Sequence, residues 1–167
     1  MYTNGHLEST IDIDYKNLPY RTRVDDSFGK NKDLYGKMYN ASMVEDENNF
    51  DATSFYKNNF DFSNLFNWKN IGWNFYKFEP GKWLRPHQDH FYYYKKYYHL
   101  ESDETIRRCN IFLEDWKPGH AFGIDDKIII HWKKYDYYVW DSTVEHWGGN
   151  FGSEDRYTLQ LTGQIKE

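Results

Sequence analysis

Lys127-Ile-Ile-Ile-His-Trp132-Lys-Lys-Tyr-Asp136-Tyr-Tyr-Val-Trp140-Asp-Ser-Thr-Val-Glu-His146-Trp147 is a run of short β-type segments separated by polar breaks. Branched and aromatic residues fill 127–132 and 137–140, while Lys133-Lys-Tyr-Asp136 reads as a turn. The same rhythm extends outward from here. Strands are predicted at Ile71–Phe78, Trp83–Phe91, Ile106–Glu114, Ala121–Ile124, Lys127–Trp132, Tyr137–Trp140, Thr143–Trp147 and Arg156–Gly163. Asp125-Asp126, Pro80-Gly81 and Pro118-Gly119 punctuate them as turns. Eight short strands with tight connections suit a double-stranded jelly roll. A β-sandwich without a site gives the same pattern, so strand count alone says nothing about function.

Residues 1 to 70 are less regular. Ile11-Asp-Ile13-Asp alternates like a strand, Tyr20–Val24 is a second candidate, and a short helix is expected to start near Asp51 or Ser63. The expectation is one domain of 167 residues, with 1–70 as a partly helical support region and 71–163 as an all-β core. Mean hydropathy is −0.99. An aromatic content of 21% nevertheless argues for a folded chain, with Trp, Tyr and Phe supplying much of the core.

A net charge of −5 gives no indication of nucleic-acid binding. Cys109 is the single cysteine, which excludes an intramolecular disulfide and a cysteine-rich zinc site. There is no apolar leader and no run of membrane-spanning length. These features, with a bias toward Asn, Lys, Tyr, Phe and Ile, predict the cytoplasm of a bacterial or phage-infected cell.

Three His-x-acid pairs occur: His6-x-Glu8, His87-x-Asp89 and His99-x-Glu101. About one is expected by chance at ordinary composition, so context must choose. His87 and Asp89 follow a strand and a Pro-Gly turn, and residues two apart on an extended segment point the same way. His146 is the candidate third ligand. Two imidazoles and a carboxylate hold a redox metal on one face and leave the other open. Arg156, ten residues beyond His146, has the forked guanidinium that grips a carboxylate. Thr158 lies two residues further on the same side.

The segments Gly81-Lys-Trp-Leu84-Arg-Pro86-His87-x-Asp89, Arg107-Arg108-Cys-Asn110-Ile-Phe-Leu113 and Trp140-Asp141-x-x-x-Glu145-His146, followed by Arg156, resemble the 2-oxoglutarate- and Fe(II)-dependent oxygenases. The likeness runs from about Ile71 to Gly163 and is greatest to the aspartyl/asparaginyl β-hydroxylase type and small phage or bacterial relatives. It implies a distorted jelly roll, the double-stranded β-helix, with His87, Asp89 and His146 as iron ligands. Arg156 would bind the distal carboxylate of 2-oxoglutarate, with Tyr76, Arg108 and Thr158 near the same co-substrate. Asn110 stands where the family often has a histidine. The implied reaction consumes 2-oxoglutarate and O2, releases succinate and carbon dioxide, and hydroxylates an unidentified substrate; ascorbate is the expected assay reductant.

Two alternatives stand beside this. One is a cupin-like metal protein without 2-oxoglutarate, which has no need of Arg156. The other is a non-enzymatic β-sandwich that uses its tyrosines, Phe91-Tyr-Tyr-Tyr94 and Tyr97-Tyr98, for recognition. Those tyrosines equally suit a substrate lid or a core. Oligomeric state is open.

Overall fold

The longest strands of the computed structural model pair with each other: β5 (Trp68–Phe78) runs antiparallel to β12 (Arg156–Ile165), with Arg156 opposite Phe78 and Ile165 opposite Trp68. The structure describes residues 1–22, 42–46, 55–56 and 60–166. Around this spine the larger sheet runs β1 (Tyr2–His6), β10 (Asp136–Trp140), β7 (Ile106–Phe112), β12, β5, β3 (Ser42–Asp46) and β2 (Arg21–Thr22). The short β4 (Phe55–Tyr56) adds to β3 in parallel. A smaller sheet runs β6 (Trp83–His87), β11 (His146–Asn150), β8 (His120–Ile124) and β9 (Lys127–Ile129).

From β5 onward the chain alternates between the sheets. β5, β7, β10 and β12 lie in the larger, and β6, β8, β9 and β11 in the smaller. This is the double-stranded β-helix, and the jelly-roll core read from the strand spacing is the one observed. Among the described residues no helix is long and apolar enough to cross a membrane.

The alternation of β12 explains its central place. Tyr157, Leu159 and Leu161 face outward into a cluster with Trp73, Phe75, Cys109, Ile111 and Leu113. Leu7, Ile11 and Phe62 cover that cluster from outside. Tyr15 completes the cover by donating its hydroxyl to the Leu113 carbonyl at 3.2 Å. The opposite face of β12 carries Arg156, Thr158 and Thr162, all buried between the sheets. Burying polar groups between sheets is costly unless they find partners, so this inner row is the place to look for a site.

Several local expectations differ. Ile11-Asp-Ile13-Asp forms no strand; the edge strand is Tyr2–His6, whose partner β10 supplies the hydrogen bonds that alternation alone cannot. The residues from Ser63 form a turn rather than a helix, because Asp61 caps only the Ser63 N–H and no apolar stripe follows. Asp51 and Val24 lie outside the described residues. A 3-10 turn at Tyr15–Asn17 is the helical element of the first segment.

Leu159 is fully buried in the outer cluster. Leu159→Ala is expected to lower the unfolding free energy by about 2–5 kcal/mol in urea titration. Ile128→Ala, at an exposed edge position, is expected to stay within about 0.5 kcal/mol of the parent.

Candidate metal centre and its carboxylate clamp

His87 ends β6 and His146 opens β11, and the two pair directly across the smaller sheet. Leu84 pairs with Gly148, so β6 has one more residue than β11 between these two pairs. That bulge falls on Arg85-Pro86, where a proline with no N–H is best tolerated. It brings His87 level with His146, their rings 4.3 Å apart between centroids.

Asp89 follows in the loop after β6. Its carboxylate and the two imidazoles place three ligand atoms within 4.8 Å of one another, the one such group of three among the described residues. His87 Nδ1–H donates to the Arg85 carbonyl at 2.7 Å, and His146 Nδ1–H to that of Val144 at 3.2 Å. Both Nε2 lone pairs are thereby turned toward Asp89. His146 Nε2 is buried without a hydrogen-bond partner, 3.5 Å from Asp89 Oδ2. Two imidazoles and one carboxylate, one nitrogen without a partner, fit a divalent transition metal.

Electrostatics agree with that donor set. Burial pushes the His146 pKa down to about 4, and the neighbouring Asp89 offsets this only in part. Burial works against the Asp89 carboxylate, but Arg108, and after it His146, hold its carboxyl well below the usual carboxylate range.

Arg156 is 3% exposed. Its guanidinium lies 4.8 Å from the ring centre of Phe78, 5.3 Å from Trp132 and 5.7 Å from Phe112. Nε and Nη1 have no hydrogen-bond partner. Burial alone pulls its pKa down to about 9, which still leaves it charged at neutral pH. Gly148 faces it across the sheets: a Cβ there would stand 2.9 Å from Arg156 Nη1. Gly148 is two residues along β11 from His146, so Arg156 sits beside the same strand face as the metal ligands.

Between these ends the inner face carries Thr158, Tyr76 and Asn110. Thr158 is buried and opposite Tyr76 in register. Tyr76 donates its hydroxyl to Gln160 Oε1 at 3.2 Å. Asn110 is buried and its Nδ2 has no hydrogen-bond partner. Arg108, placed near the co-substrate by the sequence resemblance, instead lies on Asp89.

The other His-x-acid pairs do not assemble. His6 is held by Asp136 at 2.8 Å, and Glu101 is exposed at the end of the tyrosine segment. That segment is a single-turn helix, α1 (Tyr92–Tyr97), and not part of a strand. Its tyrosines divide. Tyr94 is buried and donates to the Asn70 carbonyl at 2.8 Å, while Tyr92, Tyr93 and Tyr97 face solvent. Sequence reasoning noted Trp132 and Trp140 among the resembling residues but gave them no contact, and it missed Gln160, Thr162 and the box that Phe78, Phe112 and Trp132 form around Arg156. The glycine pair after His146-Trp147 was a usable signal, since glycine inside a strand marks close approach.

Neither a protein-family profile nor a curated protein matches the chain. Solved structures that resemble it include a prolyl-4-hydroxylase of Pseudomonas putida, at 18% identity over 60% of this chain and 54% of that one, TM-score 0.45. The match thus spans about half of the hydroxylase. Others are a double-stranded β-helix protein of Klebsiella pneumoniae, at 12% over 60% and 70% with TM-score 0.40, and a cupin-2 domain protein of Shewanella frigidimarina, at 14% over 57% and 72% with TM-score 0.37. The likeness concerns sheet architecture and assigns no role to any residue.

The depressed His146 pKa sets a pH dependence. Between pH 6.5 and about 4 the unfolded chain carries a proton on this imidazole that the native chain lacks. Stability therefore falls as pH drops through that window. Asp89, also depressed, acts in the same direction at lower pH. Urea midpoints of the metal-free protein are expected to decline across the window, and less steeply in His146→Gln. An unchanged slope in the variant would show that His146 is not held neutral.

Proposed function

We propose that this chain is an Fe(II)- and 2-oxoglutarate-dependent oxygenase that hydroxylates a protein or peptide side chain or a small molecule. It acts as one domain in which residues 1–70 back the jelly-roll core of 71–163. The observation that carries the reading is Arg156, a buried guanidinium with unsatisfied nitrogens beside the His87, Asp89 and His146 group. A cation taken out of water without a counter-charge is costly, and a dicarboxylic co-substrate supplies that charge.

In this reading His87, Asp89 and His146 hold the iron on one side and leave its other positions open. Bound iron supplies the redox chemistry that couples decarboxylation of 2-oxoglutarate by O2 to hydroxylation of a C–H bond, giving succinate and carbon dioxide. The chain's own residues bind and orient. Arg156 forks onto the distal carboxylate, its plane fixed by Phe78, Phe112 and Trp132. Gly148 leaves room for it. From His146 to Gly148 is about 7 Å along the strand, a span suited to the two ends of a five-carbon diacid. Thr158, Tyr76 and the Asn110 amide line the stretch between.

Anaerobic addition of Fe(II) and then 2-oxoglutarate is expected to raise a weak visible charge-transfer band. His87→Ala, Asp89→Ala and His146→Ala are each expected to lose iron while remaining folded. Arg156→Ala is expected to keep iron and weaken 2-oxoglutarate binding on the order of 10–100-fold, the scale of a lost charge-assisted fork. Arg156→Lys, a point charge, recovers only part. With O2 and ascorbate, slow succinate formation is expected without substrate. Normal iron binding with no succinate under any condition would instead favour a cupin-like metal protein, and equal 2-oxoglutarate affinity in Arg156→Ala would remove Arg156 from the site.

A further inference from the structure

The second arginine of the inner face, Arg108, is part-buried and has a different fate. Arg108 lies on β7, opposite Trp140 of β10 and Thr162 of β12. Its Nε donates to Asp89 Oδ2 at 3.1 Å and its Nη2 to Asp89 Oδ1 at 2.9 Å. Its Nη1 donates to Gln160 Oε1 at 3.0 Å and Thr162 Oγ1 at 2.8 Å. Four hydrogen bonds thus engage a group that has five N–H donors in all. Trp140 Nε1–H reaches the same Asp89 Oδ2 at 3.1 Å.

Apart from the Trp140 N–H, Arg108 supplies the hydrogen bonds that fix the Asp89 carboxylate among the described residues. Asp89 lies two residues past the end of β6, in a loop outside both sheets. A carboxylate there has several rotamers and, buried, a strong pull toward its neutral form. Arg108 removes both freedoms. It grips the two oxygens side by side, and it opposes protonation. The chain then turns at Phe91, which adopts φ 48° in the left-handed region, and lays its ring 5.3 Å from the Arg108 guanidinium carbon. A non-glycine residue in that region is uncommon and is maintained by its surroundings. Here it seals the clamp from the α1 side.

We infer that Arg108 is a positioning residue for the metal-ligand carboxylate of Asp89, acting with Trp140, and is not a ligand of the co-substrate. This rests on the metal reading of the site above. Arg108 bonds both Asp89 oxygens, and Oδ2, which also accepts from Trp140, is the one 3.5 Å from His146 Nε2 and would face the metal. The Gln160 and Thr162 bonds hold the guanidinium independently of Asp89. Arg108 and Arg156 divide the work, one fixing the ligand set and the other meeting the anion.

The test is Co(II) binding by the full chain without 2-oxoglutarate, read as affinity and as the visible absorption that reports coordination geometry. Arg108→Met is expected to weaken Co(II) binding about 10–100-fold, the usual effect of removing such an outer partner, and to shift the absorption. Arg108→Lys, which keeps the charge and loses the fork, is expected to recover part of the affinity. Trp140→Phe keeps an aromatic ring at this buried position, removes the N–H donor to Asp89 and shortens the ring system; in folded protein a smaller loss with a shifted absorption is expected, and this arm is read independently of whether Arg108→Met folds. At saturating Co(II), 2-oxoglutarate affinity is expected to fall far less in Arg108→Lys than in Arg156→Ala. Unchanged Co(II) affinity and absorption in folded Arg108→Lys and Trp140→Phe, with 2-oxoglutarate affinity lost in Arg108→Lys, would overturn the inference and make Arg108 a co-substrate ligand. Absence of Co(II) binding by the parent chain would overturn the metal reading itself, a separate result.

Discussion

Burying a guanidinium away from water without an anion is the constraint around which this interior is arranged. Arg156 is held by three aromatic rings that turn negative potential toward it. Those contacts offset part of its lost hydration but satisfy none of its N–H groups. The same box fixes other features of the core. Phe112 and Trp132 stack at 4.0 Å between ring centroids, and Phe112 meets Phe122 of the smaller sheet edge-on. The box that positions the cation is therefore also the join between the two sheets at this end. The fold and the binding site are not separable here.

The inner face shows what the two possible treatments of a buried cation look like side by side. Arg108 is given a carboxylate, an amide oxygen and a hydroxyl, and the burial penalty on its charge is met by Asp89. Arg156 is given rings and a glycine. Were both arginines structural, both would be expected to carry partners, because a missing partner costs more than a hydrogen bond returns. The asymmetry sits on adjacent strands of one sheet, and the arginine without partners is the more deeply buried of the two, Arg156 at 3% exposure against 18% for the Arg108 side chain. It is best explained by a ligand that is part of the working molecule.

Much of this was legible in the chain because it depends on local pattern. The period of two in Arg156-Tyr-Thr-Leu-Gln-Leu-Thr162 announces a strand with one apolar and one polar side. The His87-x-Asp89 spacing and the distance to Arg156 announce candidate ligands. What could not be read was which partners meet across the sheets. Gln160, Thr162 and Trp140 are ordinary strand residues until β7, β10 and β12 lie side by side, which puts Gln160 and Thr162 on Arg108 and Trp140 on Asp89. The Arg108–Asp89 contact could not be read for the same reason: its neighbourhood is set by long-range pairing. The edge strand at Tyr2–His6 was missed because an edge strand takes its hydrogen bonds from a distant partner, here β10, and Gly5 lies over the Tyr137 ring where a side chain would collide. Helix α1 was not read as a helix, the tyrosines being left as lid, recognition surface or core, because six residues so rich in tyrosine carry no helical period.

That short helix also explains how the site stays attached to its surface. A single turn is not stable by itself. α1 is pinned from below by Tyr94, whose hydroxyl reaches Asn70 on β5, and by the Phe91, Tyr94 and Ile106 cluster with Tyr98 and Leu100 against it. The outward residues Tyr92, Tyr93 and Tyr97 contribute little to that anchoring. Phe91 belongs to both systems, packing in the helix cluster and lying over Arg108. The path from the exposed tyrosines to the Asp89 carboxylate therefore has two links, Phe91 and the guanidinium. A group docking on α1 would bear on the geometry of the metal ligand through side chains already in contact, without any movement of the sheets.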